Sequence, residues 1–153
     1  MKIIRSKLNV SSPASFSLPA DTLLFDIETT GLSADTSYLY LIGAICLEAG
    51  EPTLIQWFCD EYSEEKEVLT FFRDFLKDYT HPVHYNGTGF DIPYLNKKFK
   101  RHCLSYAIDP ETATDIYKQL LPFKKYTDFP NFKQKPWSHV PVFSVPIPFP
   151  AVI

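Results

Sequence analysis

One mixed α/β domain is the fold class this sequence predicts, and three observations predict it. Early segments are rich in Ile, Leu, Tyr and Trp, as strands are. Two later stretches carry apolar residues at helical spacing. The signals arrive as three strands, then helix, strand and helix, an order that builds a mixed sheet with helices packed on it. A length of 153 residues suits a single domain with its own core. With 45% apolar and 22% charged residues the composition is that of an ordinary globular protein. No run approaches the roughly 18–20 apolar residues that a membrane span needs. The first 20 residues start basic, but Ser and Pro interrupt them before any continuous apolar core of a leader can form. The expected location is cytoplasmic, with no membrane partner.

Taken in order, residues 1–20 read as a polar N-terminal arm. Strands are predicted at about 22–29, 37–48 and 53–59, arranged as a meander. From Ser63, read as an N-cap, the helical pattern places Val68, Leu69, Phe72, Phe75, Leu76 and Tyr79 on one face, with acids in the first turn. Glu64, Glu65 and Glu67 read as the solvated end of that helix. A short strand over 82–86, a turn at "NGTG" and a second helix entered near Asp91 follow, with Pro93 tolerated in its first turn. A strand or extended piece around 105–109 and a short helix from about Thr114 to Leu121 complete the pattern. Beyond Pro136, "PWSHVPVFSVPIPFPAVI" holds five of the 13 prolines and no Asp, Glu, Lys or Arg. It can be neither a regular helix nor a central strand. Its composition reads as an appendage unrelated to the fold, such as the product of a shifted reading frame, in preference to a Pro-rich docking tail.

Cys46, Cys59 and Cys103 lack C-x-x-C spacing and read as reduced core thiols, while His81 and His84 read as loop or core histidines and not as zinc ligands. The net charge of −3 conceals an asymmetry: residues 1–96 hold 6 Lys/Arg against 14 Asp/Glu, and residues 97–153 hold 9 against 4. The basic second half points weakly to a polyanionic partner.

Chemistry is concentrated in "TLLFDIETTGL". Alternation along a strand puts Leu23, Phe25 and Ile27 on one face and Leu24, Asp26 and Glu28 on the other. Two buried carboxylates side by side would repel each other and lose hydration, so the pattern asks for a cation. Carboxylate oxygens suit Mg²⁺ or Mn²⁺.

The residues "FDIETTGL" (25–32) resemble the first exonuclease motif of the DEDD, or DnaQ-like, 3′–5′ exonuclease superfamily. "NGTGFDIPYL" resembles the second, of the form N-x-x-x-F-D. With "DIY" at 115–117, the resemblance over about residues 20–135 is nearest the YprB-like group of ribonuclease H-like proteins. It implies a ribonuclease H-like mixed sheet of about five strands flanked by helices: an arm at 1–20, an incomplete exonuclease domain at 21–135 and a Pro-rich tail at 136–153. It also implies a two-metal site for Mg²⁺ or Mn²⁺, in which Asp26 bridges both ions, Glu28 ligates the first and Asp91 helps hold the second. Thr29, Leu32, Asn86 and Phe90 are the implied contacts to a single-stranded or end-frayed nucleic acid, with turn-forming and core roles the alternative for the last three; the basic run "KKFKR" on the helix after Asp91 places Lys97, Lys98 and Arg101 either against its phosphates or on a solvated helix face.

The family's fourth acid, an Asp after Tyr or His in Y-x-x-x-D or H-x-x-x-x-D, has no counterpart at either spacing. Asp115 reads as an acid at a helix start. The expectation is a chain cut short before its last motif, with its C-terminal part missing, one sheet face poorly covered and activity impaired or absent. A non-catalytic nucleic-acid-binding or interaction module on the same fold is the alternative. A sugar-kinase-like phosphate loop is disfavoured, since Glu28 stands where a glycine would let backbone approach phosphate.

Overall fold

Alternating burial along Thr22–Thr29 organises the molecule: Leu23, Phe25 and Ile27 are buried, whereas Asp26 and Glu28 on the opposite face are exposed. The computed structural model describes residues 1–8 and 18–126. The readings placed on residues 9–17 of the arm, on the domain end at 127–135 and on the tail at 136–153 lie outside the described residues.

Six strands form one mixed sheet in the order β1-β4-β3-β2-β5-β6. They are β1 (Lys2–Lys7), β2 (Thr22–Thr29), β3 (Leu39–Glu48), β4 (Glu51–Phe58), β5 (His81–His84) and β6 (Thr114–Asp115). β1 to β4, β4 to β3 and β3 to β2 are antiparallel pairs; β2 to β5 and β5 to β6 are parallel. The helices are α1 (Glu65–Leu76), α2 (Asp91–Arg101) and the short α3 (Ile116–Leu120).

The apolar face of the sheet and the inner faces of α1 and α2 share one core, which includes Leu23, Phe25, Ile42, Ile55, Trp57, Phe72 and Leu95. Phe72 of α1 sits with its ring centroid 5.6 Å from Phe25 and 5.8 Å from Trp57, within the range in which tilted aromatic pairs are favourable. The opposite face carries Leu24, Asp26, Glu28, Ile45 and Leu54 in accessible or half-buried positions. Burying Leu23, Phe25 and Ile27 against the helices therefore leaves the acids on the open side.

Five expectations need correction. Residues 2–7 are not a free arm: they pair along the outer side of β4, from Lys2 opposite Phe58 to Lys7 opposite Thr53. Every β1 residue is exposed, so no apolar alternation marks it, and its charges suit an edge strand. Residues 105–109 make no strand; this piece docks on α2, where the Asn96 side chain accepts from the Ile108 N–H at 2.7 Å and donates to its carbonyl at 2.8 Å. Residues 114 and 115 belong to the sheet and precede α3, where a helix was expected. Ser63 does not cap α1, which follows a single 3-10 turn at Tyr62–Glu64. Cys46 and Cys59 are buried thiols as expected, but Cys103 is exposed.

Candidate active site

Asp26 and Glu28 are presented at the C-terminal end of β2. The strand is central, lying between β3 and β5, so these are not edge residues. They are also not buried, contrary to expectation, since the face they occupy is the open one. Asp26 nonetheless borders a hollow lined by Leu24, Ile45, Leu54 and Val83. Partial burial there, followed by the neighbouring Glu28 charge, pushes its carboxyl above the usual range, against the opposing effect of the Ile27 backbone N–H. Directly after Glu28 the register slips, Glu28 pairing with Leu41 and Thr29 with Leu39. Such a bulge turns the chain away from the ladder next to the acids.

Asp91 arrives from the neighbouring parallel strand. β5 ends at His84, the chain turns through Asn86–Gly89, and α2 begins at Asp91. Asn86 adopts φ +60°, a left-handed conformation that Asn tolerates better than most residues. The Gly87 carbonyl accepts from the N–H groups of Phe90 at 3.3 Å and Ile92 at 3.0 Å, closing the first turn of α2. Gly87 is required by close approach: a Cβ there would lie 2.6 Å from Asp91 Oδ2 and 2.9 Å from His84 Nδ1.

Asp91 is 6% exposed. Burial first, then the charges of Asp26, Asp115 and Glu28, push its carboxyl up to about 7. The three acids thus lie within one another's fields at the carboxyl ends of two parallel strands, the edge at which open α/β sheets bind ligands. None of the three makes an ion pair with a described residue. Their oxygens are the donors that Mg²⁺ or Mn²⁺ prefers. Among the described residues, however, no group of three or more His, Cys, Asp or Glu side chains is gathered closely enough to hold a metal ion. The donor chemistry fits a divalent cation.

The remaining expected substrate contacts are dispersed. Leu32 is 88% exposed on the loop after β2. The Thr29 hydroxyl donates to the Gly31 carbonyl at 2.9 Å, and Asn86 is an exposed turn residue. Phe90 is half-buried, its ring centroid 5.4 Å from that of Tyr94. Lys97 is exposed and paired with the Asp35 carboxylate, while Arg101 donates to the Asp35 carbonyl at 2.6 Å. Lys98 contradicts its reading as a phosphate contact. It points inward, 2% exposed, and pairs with Glu65. Glu65 is correspondingly not a solvated helix acid but is 3% exposed, accepting from Lys98 and from the Leu39 N–H.

Two further residues at this edge were assigned no part in the site. His84 is 2% exposed, and its Nδ1 accepts from the Gly87 N–H at 2.9 Å. Asp115 is 7% exposed and accepts from the Asn86 N–H at 2.8 Å and the Thr88 hydroxyl at 2.9 Å. In the sequence His84 reads only as a loop or core histidine; Asp115, part of "DIY" at 115–117, reads as an acid at a helix start, and it does cap α3 through the Tyr117 N–H.

A mixed sheet with acids at the ends of two parallel strands is a ribonuclease H-like arrangement, and family comparison agrees. Residues 23–134 match the family model of the RNase H superfamily, and the chain belongs to that superfamily. Among solved structures, it is similar to the family B DNA polymerase from the hyperthermophilic archaeon Pyrobaculum calidifontis, with 21% identity and a TM-score of 0.56. That likeness covers 72% of this chain and 17% of the polymerase, and it bears on the fold. No curated protein matches the chain.

Proposed function

We propose that the chain is a metal-dependent 3′–5′ exonuclease of the DEDD type, acting on single-stranded or end-frayed nucleic acid, with low turnover. The observation that carries this reading is the meeting of acids from two elements: Asp91, 6% exposed at the start of α2, lies in the fields of Asp26 and Glu28 of β2, and none of the three has an ion-pair partner among the described residues. Asp26, Glu28 and Asp91 would hold Mg²⁺ or Mn²⁺. Bound divalent ions supply a water acidic enough to attack phosphorus and stabilise the departing 3′ oxygen. The chain's own contribution is placement: β2 holds two carboxylates on one face, and the Gly87 turn holds the third against α2. Leu32 is available to lie against a terminal base, and Lys97 and Arg101 stand on the outer face of α2. The low turnover is proposed because no Asp in this sequence stands at the Y-x-x-x-D or H-x-x-x-x-D spacing of the family's fourth acid.

That no three such side chains gather closely enough for a metal ion among the described residues favours a second reading, a nucleic-acid-binding module without hydrolysis. One experiment separates them. A 5′-labelled single strand incubated with the protein and Mn²⁺ should shorten progressively from its 3′ end, and Asp26→Asn should abolish the shortening. Salt-sensitive binding with an intact strand at every Mn²⁺ concentration would select the binding module.

A further inference from the structure

Asp115 lies outside both exonuclease motifs, yet its carboxylate holds the turn from which Asp91 projects. Its Oδ1 accepts from the Asn86 N–H at 2.8 Å and from the Tyr117 N–H at 3.0 Å, joining that turn to the start of α3. Its Oδ2 accepts from the Thr88 hydroxyl at 2.9 Å. Between these two anchored residues stands Gly87, fixed a third time through its N–H to His84 Nδ1. Gly87 in turn closes the first turn of α2 through its carbonyl and abuts the Asp91 carboxylate. The side chain of Asp115 is 4% exposed, and its strand pairs with β5 at His84, so the anchor is seated in the sheet.

We propose that Asp115 is a positioning residue for Asp91: by gripping Asn86 and Thr88 on either side of Gly87, it sets where the Asp91 carboxylate stands relative to Asp26 and Glu28. The inference rests on the metal reading given above. It assigns Asp115 no contact with metal or substrate, and it acts through hydrogen-bond acceptance. Groups that orient metal ligands in this way typically change metal affinity by about 10–100-fold when removed.

The test measures Mn²⁺ binding to the full-length chain by calorimetry, together with amide hydrogen exchange at Phe90 and Ile92. Asp115→Ala should weaken Mn²⁺ binding by at least about tenfold and speed exchange at both amides. Asp115→Asn keeps an acceptor for Asn86 and should bind Mn²⁺ like the parent. Thr88→Val removes one anchor only and should shift both readouts in the direction of Asp115→Ala while melting at the parent temperature. It decides the matter if Asp115→Ala does not fold. Parent-like binding by Thr88→Val and Asp115→Ala, or an Asn variant as weak as the Ala variant, would overturn the inference. A parent chain that binds no Mn²⁺ would refute the metal reading instead, and the exchange rates would still decide whether the anchors order the turn.

Discussion

Lys98 Nζ lies 2.7 Å from Glu65 Oε1, with both side chains at most 4% exposed. Lys98 also donates to the Ser37 carbonyl at 2.6 Å, so this buried pair links α2, α1 and the loop that follows β2. Burial would raise the Glu65 carboxyl, but Lys98, the Leu39 N–H and His102 more than offset it and hold it below the usual range. Removing one partner of such a pair costs about 3–5 kcal/mol because the other charge is stranded. Lys98→Met should lower urea stability by that amount. Adding Glu65→Gln, which still accepts from Leu39, should recover much of the loss. A double variant no more stable than Lys98→Met would contradict this account.

Asp91 sets a pH dependence of the metal-free fold. Its folded-state carboxyl titrates near 7, above the unfolded value, so the folded chain binds the extra proton. The resulting stability is complete at acid pH and is lost as pH rises through about 7. Thermal melts without metal should therefore show stability falling between about pH 4 and 7. Asp91→Asn should flatten that fall. Saturating Mn²⁺ should reverse it, because a bound cation favours the ionised carboxylate.

Gly87→Ala tests the close approach at the turn. A methyl group would meet Asp91 Oδ2 at 2.6 Å and the His84 ring at 2.9 Å. The Asp91 carboxylate can swing aside, but the His84 ring is fixed by its bond to the Gly87 N–H. Overpacking of this kind costs about 1–3 kcal/mol. Denaturant melts should show that loss, accompanied by weaker Mn²⁺ binding. Unchanged stability would mean that the turn yields more freely than its contacts indicate.

Asp35 holds two cations of the basic second half, Lys97 through its carboxylate and Arg101 through its carbonyl. Asp35→Asn releases only Lys97, since the backbone contact remains. Single-stranded DNA should then bind more tightly at low salt, with the salt slope steeper by about 0.7 for one added phosphate contact. A slope identical to the parent's would show that Lys97 faces away from the strand.

Local patterning made part of this architecture readable. Strand β2 could be placed because a period of two needs only neighbouring residues, and the same alternation put Asp26 and Glu28 together on one face. The start of α2 at Asp91 followed from a turn sequence just before an apolar helical repeat. What failed depended on distant partners. Strand β1 has no apolar alternation and exists because β4, about fifty residues later, accepts it at the sheet edge. Lys98 was expected to meet phosphate and Glu65 to meet water, because nothing local distinguishes a charge that pairs with its opposite inside the fold from one on the surface. The exposure of Asp26 was misread for a related reason: the apolar residues beside it line an open sheet face, and composition does not say which face the helices cover.

Across the ladder from Asp26 stands Gly43, and a methyl group built there would meet nothing within 4 Å. The neighbouring strand thus leaves at least a methyl group's room beside the acid. A spin label attached through Gly43→Cys would start from open space beside the carboxylate, turning the sheet itself into a ruler for whatever settles next to it.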